Sequence, residues 1–356
     1  MSELKIHTLE SFELEDGTIL KDVDLAYRTW GTLNAARSNV VVACHSLTGD
    51  SNVENWWAPL FGLGRTLDTN KYFIVCVNLL GSCYGSTGPT TIDPDTGSTY
   101  SGAFPVTTVR DNVRIQRRLL DEIGIDGVEA TIGSSLGGMI ALEWALIDPK
   151  LRRVIAIATS GRHSAWCIGW SEAQRQAIYA DPNWNDGFYS AASPPDGGLA
   201  AARMMAMLSY RNPTSFRDRF ARDIVPAEDS FSVETYLRYQ GKKLIDRFDA
   251  NSYVRLSQMS NSHDVSRGRG EYEKVLASIE QEVLVVGIDS DVLFPLNEQE
   301  ELAEHIPNAV LEVVHSSHGH DAFLLEADTL NRKITRWLVG KTIQHPKHVR
   351  VHRHAH

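Results

Sequence analysis

Between Val128 and Leu146 three patterns follow one another directly: Val128-Glu-Ala-Thr-Ile132, Gly133-Ser-Ser-Leu-Gly-Gly138 and an apolar stretch from Met139 to Leu146, stopped by Asp148-Pro149. They predict a strand, a sharp turn and a helix. Small residues on either side of Ser135 allow a tight, strained turn there, which lifts the serine hydroxyl above the strand end and aims a helix N-terminus at any charge that develops beside it. The rest of the chain has to supply a sheet for that strand to join.

Asn39-Val-Val-Val-Ala-Cys44 and Tyr72-Phe-Ile-Val-Cys-Val-Asn78 are unbroken apolar runs, the pattern of parallel strands covered on both faces. Residues 10 to 32 instead alternate apolar and polar around Asp16-Gly17, which predicts an opening antiparallel hairpin. Val109, Val113, Leu119, Leu120 and Ile123 fall near helical spacing with arginines opposite, giving an amphipathic crossover helix. Arg153-Val-Ile-Ala-Ile-Ala158 is a further strand. This alternation predicts an α/β fold, a mostly parallel sheet flanked by helices and joined by right-handed crossovers.

From about Ser164 to Ala277 the character changes. Trp, Tyr, Met and Arg stand among helical spacings and Pro-rich loops such as Ser193-Pro-Pro-Asp-Gly-Gly198. Strands resume at Glu282-Val-Leu-Val-Val-Gly287 and Val310-Leu-Glu-Val-Val314, and a last helix is expected near Leu330 to Val339. The chain therefore reads as a core in two parts, residues 1–163 and 278–340, with a helical lid inserted at 164–277 and a flexible tail at 341–356. His348, His352 and His356 in that tail share a helical spacing, but a mobile basic tail without assigned function is the expectation.

With 42% hydrophobic and 22% charged residues among 356, the composition is that of a globular chain with a large core. A formal net charge of −10 gives no general attraction to nucleic acid or anionic membrane, so an anionic substrate has to be held locally. Cys44, Cys76, Cys83 and Cys167 form no CxxC pair and read as reduced thiols. The charged opening MSELKIHTLESFELEDG lacks the apolar stretch of a signal peptide, and no apolar run approaches the roughly 20 residues that span a bilayer. A cytoplasmic protein without membrane or nucleic-acid partner is expected. No metal site and no bound cofactor is expected either, since HExxH, a cysteine cluster and GxGxxG after the first strand are all missing.

Gly133-Ser134-Ser135-Leu136-Gly137 fits G-x-S-x-G in the strand-to-helix context that gives the motif meaning. In the α/β-hydrolase fold the acid and base follow the nucleophile in the order Ser, Asp or Glu, His, each on a loop after a late strand. Asp291 follows the strand ending at Gly287, and His320 follows the strand ending at Val314, with Asp289 and His318 as local competitors. The roles are set by acid–base need: His320 takes the Ser135 proton, and Asp291 holds the imidazole tautomer and stabilises the imidazolium. Two backbone donors are expected at the oxyanion, the N–H of Leu136 and, from His45-Ser-Leu-Thr-Gly49, the N–H of Leu47.

These residues resemble the homoserine O-acetyltransferases, most closely their fungal type. The resemblance runs from about residue 10 to about 340. It includes Tyr27-Arg-Thr-Trp-Gly-Thr-Leu-Asn34, Asn78 to Pro89 (NLLGSCYGSTGP), Ala158 to Asp181, Phe248-Asp-Ala-Asn-Ser-Tyr253 and Gly319-His-Asp-Ala-Phe323. It implies a lid that covers the site and forms a homodimer contact, a serine-ester intermediate, acetyl-CoA as co-substrate and a small hydroxy amino acid as acceptor. It also implies that Arg203 binds the acceptor carboxylate, that Tyr210 and Thr48 line its pocket, and that Asp321 binds its amino or hydroxyl end. Guanidinium suits a carboxylate, and a carboxylate suits an ammonium.

The chain departs from the family at three points. Family members commonly carry Gly-Gly-Ser-Met-Gly where this chain has Gly133-Ser-Ser-Leu-Gly137, His-Ala where it has His45-Ser46, and fungal relatives often have Pro at Cys83. Serine O-acetyltransferases and serine or homoserine O-succinyltransferases share the scaffold, so L-serine as acceptor and a succinyl donor stand beside homoserine and acetyl. An esterase or thioesterase would use the same triad without an amino-acid acceptor.

Overall fold

The computed structural model describes residues 2–340; the tail read at residues 341–356 lies outside them. β1 (Lys5–Glu13) and β2 (Ile19–Trp30) pair antiparallel about a turn in which Gly17 takes φ +87°. β1 begins five residues before the alternating pattern. As the edge strand it needs one backbone partner and one covered face, so Lys5, Glu10 and Glu13 stay in solvent while Leu9 is buried.

β3 (Val40–Cys44) and β4 (Phe73–Val77) are joined by a loop carrying α1 (Val53–Trp56). Next come α2 (Val109–Glu122), β5 (Ala130–Ser134), α3 (Leu136–Ile147) and β6 (Arg153–Ile157). A helical excursion then holds α4 (Ala165–Tyr179), α5 (Asp196–Tyr210), α6 (Pro213–Phe220), the two-residue strands β7 (Ile224–Val225) and β8 (Ser230–Phe231), α7 (Ser232–Ile245), α8 (Ala250–Asn261) and α9 (Tyr272–Ala277). β9 (Glu282–Ile288), α10 (Leu296–His305), β10 (Ala309–Val314), α11 (Ala322–Leu325) and α12 (Ala327–Leu338) complete the described chain.

The main sheet has the order β1-β2-β4-β3-β5-β6-β9-β10, and its last six strands in that order run parallel. From β3 the chain crosses to β4 on one side and then to β5 on the other. That reversal opens a crevice beyond the C-terminal ends of β3 and β5, where open parallel sheets bind ligands. Both faces of these strands are covered: Val40, Val42 and Cys44 enter the core shared with α2 and α3, while Val41 and Ala43 meet Trp57, Leu330 and Ile334 on the other side. Period-two alternation of side chains explains why an unbroken apolar run is needed.

α3 is buried from Leu136 to Ala145 and starts directly after Ser135, three residues earlier than the sequence pattern placed it. Gly137 and Gly138 belong to the helix rather than to the turn. A Cβ on Gly137 would run into the Cys44 carbonyl and one on Gly138 into Thr159, so helix and sheet approach more closely than any larger residue allows. The helix ends at Ile147 because Asp148, before Pro149, is extended.

A charge cluster built on the buried Glu143 fastens the return of the excursion to the core. Glu143 of α3, 2% exposed, takes Arg110 Nε at 3.0 Å and Arg269 Nη2 at 2.5 Å. Glu15, beside the first turn, takes Arg110 Nη1 at 2.9 Å and Arg267 Nη2 at 2.6 Å. Among the described residues no helix is long and apolar enough to cross a membrane, and no group of three His, Cys, Asp or Glu is placed to hold a metal ion. Glu143→Ala, which leaves Arg269 without an acid while Arg110 keeps Glu15, is expected to lower unfolding free energy by about 1–3 kcal/mol, read from the urea midpoint. An unchanged midpoint would mean that water already compensates Arg269.

Candidate active site

Ser135 joins β5 to α3 with φ 56° and ψ −126°, a backbone that a non-glycine residue keeps only where its surroundings over-determine it. Three hydrogen bonds do so. The Ser135 N–H donates to the Ile157 carbonyl at 2.9 Å, while its own carbonyl accepts the Gly138 N–H at 2.9 Å and the Thr159 hydroxyl at 2.9 Å. A Cβ on Gly133 would strike the Gly137 carbonyl, so glycine is required at the first position of the pentapeptide.

The loops after β9 and β10 bring Asp291 and His320 together. His320 Nδ1 lies 2.6 Å from Asp291 Oδ2, and Asp291 Oδ1 accepts the N–H groups of Leu293 at 2.8 Å and Phe294 at 2.9 Å. An ionised carboxylate only accepts, so Nδ1 carries the imidazole proton and Nε2 keeps its lone pair. That Nε2 is buried and, among the described residues, has no hydrogen-bond partner. The ring is held by Phe294, stacked at 5.3 Å, Phe323, edge-on at 5.3 Å, and Tyr210, tilted at 5.7 Å.

The competing residues do other things. Asp289 accepts from His315 Nδ1 at 2.8 Å and from the Ser316 N–H at 3.1 Å, tying the β9 and β10 loops near the surface. His318 contacts no carboxylate among the described residues, and its Nδ1 is unpartnered.

A cavity next to Ser135 is walled on the sheet side by Leu47 and Leu136 and on the helical side by Trp170, Gln174 and Tyr210. Among the described residues neither Leu47 nor Leu136 gives its backbone N–H to another group, and Leu136 opens α3, whose N-terminus adds partial positive charge. His163 also borders the cavity; burial brings its imidazole down to about 4, so it is neutral at pH 7.

The residues singled out for an acceptor are distributed around this centre. The Arg203 guanidinium lies 5.5 Å from the centre of the Tyr210 ring, is half-buried, and has no carboxylate partner among the described residues. Asp321, next to His320, stands 2.9 Å from Arg211 Nε, without the alignment of a hydrogen bond. Burial pushes its carboxyl up, opposed by the charges of Arg211, His320 and Arg203. Of the four, only Tyr210 lines the cavity; Thr48, Arg203 and Asp321 lie outside its wall, and the Thr48 carbonyl accepts Arg247 Nη1 at 2.8 Å.

Several residues escaped the sequence reading. Arg211 stood beside Tyr210 without a role, and His45 was only part of a loop. Trp170 and Gln174 are one turn apart on α4, a spacing visible in sequence that carries meaning only once that face meets the cavity.

If Asp291 fixes the tautomer, Asp291→Asn slows labelling of Ser135 by a fluorophosphonate about 10³- to 10⁴-fold. Asp289→Asn and His318→Ala are expected to label near the parent rate; the reverse pattern would exchange the assignments.

Comparison with known proteins bears out the α/β fold and gives the family. Residues 39–327 match the alpha/beta hydrolase fold family. The chain is 55% identical over 337 residues to a homoserine O-acetyltransferase of Salinibacter ruber (strain DSM 13855 / M31), covering 93% of this chain and 96% of that one. The crystal structure of a homoserine O-acetyltransferase from Bacillus anthracis superimposes with TM-score 0.89 at 28% identity, covering 95% and 98% of the two chains. That of esterase E22 superimposes with TM-score 0.88 at 29% identity, covering 95% and 100%.

Proposed function

The chain belongs to the homoserine O-acetyltransferase family of the α/β-hydrolase fold, and from that premise we propose that Ser135 carries an acetyl group from acetyl-CoA to L-homoserine. Ser135 Oγ attacks the thioester carbonyl as His320 Nε2 takes its proton. The oxyanion is met by the Leu47 and Leu136 N–H groups, and collapse expels CoA, whose sulfur recovers the proton from Nε2. The homoserine hydroxyl then gives its proton to Nε2 and attacks the acetyl-serine ester; the second collapse returns a proton to Ser135.

Arg203 is the observation that carries the acceptor. A half-buried guanidinium without an acidic partner, set against the Tyr210 ring that contacts His320, is suited to a guest carboxylate. Asp321 is available to an ammonium once Arg211 shares it. An oriented hydroxyl reaches effective molarities of about 10⁵ M or more, so a filled acceptor site outcompetes water for the ester.

The lid is the inserted segment at 164–277, and a homodimer formed through it is part of the same proposal. Exposed Trp166, Ile168 and Leu208 on α4 and α5 support that contact. We place the reaction in the cytoplasm, a reading supported by four free cysteines. The similarity to esterase E22 favours one rival, hydrolysis of the same acyl-enzyme.

Thiol release from acetyl-CoA, followed with no acceptor, with L-homoserine and with L-serine, separates these readings. Strong acceleration by homoserine, lost in Ser135→Ala, is expected. Release indifferent to acceptor identifies a hydrolase, preference for serine reassigns the acceptor, and activity only with succinyl-CoA reassigns the donor. Arg203→Ala is expected to raise KM for homoserine about 10- to 100-fold, with Arg203→Lys restoring little of it.

A further inference from the structure

The loop after β3 carries Leu47, whose N–H is one of the two oxyanion donors proposed above, and the peptide bearing it is held from several directions. The Ser46 carbonyl and the Leu47 N–H are opposite edges of one planar trans peptide, so fixing one aims the other. That carbonyl accepts the His45 Nδ1–H at 2.9 Å and the Gly49 N–H at 2.9 Å. The His45 tautomer follows from its other nitrogen: Nε2 accepts the Leu79 N–H at 3.2 Å, which leaves the proton on Nδ1. The ring is fully buried between these bonds. A further bond crosses to the elbow, where Ser46 Oγ donates to the Ser134 carbonyl at 2.9 Å and lies 3.3 Å from Ser134 Oγ. Two of this chain's departures from the family pattern, Ser46 and Ser134, therefore touch.

We propose that His45 and Ser46 are positioning residues for acyl transfer: His45 aims the Leu47 N–H by holding the Ser46 carbonyl, and Ser46 fixes that donor's separation from Leu136 by tying the loop to the elbow. Donors aligned before the oxyanion forms need no reorganisation when charge appears, which is where their catalytic value lies. Neither side chain is required to touch the acyl group. The inference rests on the Ser135 ester proposed above but not on the identity of the acceptor.

Acetylation of Ser135 by p-nitrophenyl acetate tests it without CoA or amino acid. A parent protein that acetylates itself this way yet transfers nothing to homoserine overturns the acceptor reading alone. Ser46→Ala is expected to slow acylation about 5- to 10-fold, the loss of one neutral hydrogen bond, with KM for the ester nearly unchanged. His45→Ala is expected to slow it by about 10²-fold, as for a lost oxyanion donor, and His45→Asn, whose amide also donates, to recover part of that. Ser134→Gly keeps the carbonyl that Ser46 binds and is expected to acylate near the parent rate.

A trifluoromethyl ketone that adds to Ser135 presents an oxyanion to the same two N–H groups, so its affinity is expected to fall by the same factors in variants whose thermal unfolding matches the parent. Parent-like acylation and ketone affinity in Ser46→Ala overturn the role given to Ser46, and the same result in His45→Ala overturns that of His45. Slower acylation with unchanged ketone affinity, or a raised KM with unchanged acylation, overturns it.

Discussion

Everything at the reaction centre depends on a strained residue that the sheet holds in place. Ser135 cannot relax because its N–H is bound to β6, its carbonyl is bound by Gly138 and Thr159, and the glycines around it let α3 lie directly against the end of β3. The cost of a positive φ, of order 1–3 kcal/mol, is offset by the surrounding packing. In return the hydroxyl stands at a helix N-terminus, in the crevice where the strand order reverses. Parallel register does the rest: Cys44 lies opposite Gly133 and Ser134 opposite Ile157, so the loops that follow these strands open at one level.

The helical excursion is fastened to this platform at points close to the chemistry. Asn212 donates to the Ser317 carbonyl at 2.8 Å, next to the His320 loop, and Arg247 reaches the Thr48 carbonyl in the loop after β3 and Tyr84 Oη at 2.6 Å. The Glu143 cluster fixes the segment by which the excursion returns to the sheet. The excursion therefore supplies both the far wall of the cavity and part of the bracing of the loop after β3. A site enclosed in this way strengthens its internal electrostatics and limits water, which matters more to a transferase than to a hydrolase.

Much of this was legible before any coordinates, for reasons that can be named. Burial on both faces forces the runs at Val40–Cys44 and Glu282–Ile288, and the small residues around Ser135 leave little alternative to a sharp turn. The start of α3 was misplaced because Gly137 and Gly138 look like turn residues, while their smallness serves a close helix–sheet approach. The first residues of β1 were missed because an edge strand tolerates charge on its open side. Arg110, Glu143, Arg267 and Arg269 showed no periodicity that marks a buried cluster, since ion pairing depends on which helices meet.

The amino-acid sequence by itself determined the α/β core, its interruption by a helical segment, the sharp turn at Ser135 and the two loops that carry Asp291 and His320, because local pattern and strand burial are written along the chain. Only the tertiary structure set Asp291 against the His320 ring and Asp289 against His315, left Arg203 without an acid among the described residues while pairing Arg211 with Asp321, and joined Ser46 to the Ser134 carbonyl. These choices turn on which side chains meet across 29 to 110 positions of chain, as for Asp291 with His320 and Arg211 with Asp321. Hydrogen bonds and ion pairs act over a few ångströms, and that proximity is set by packing rather than by spacing in the sequence.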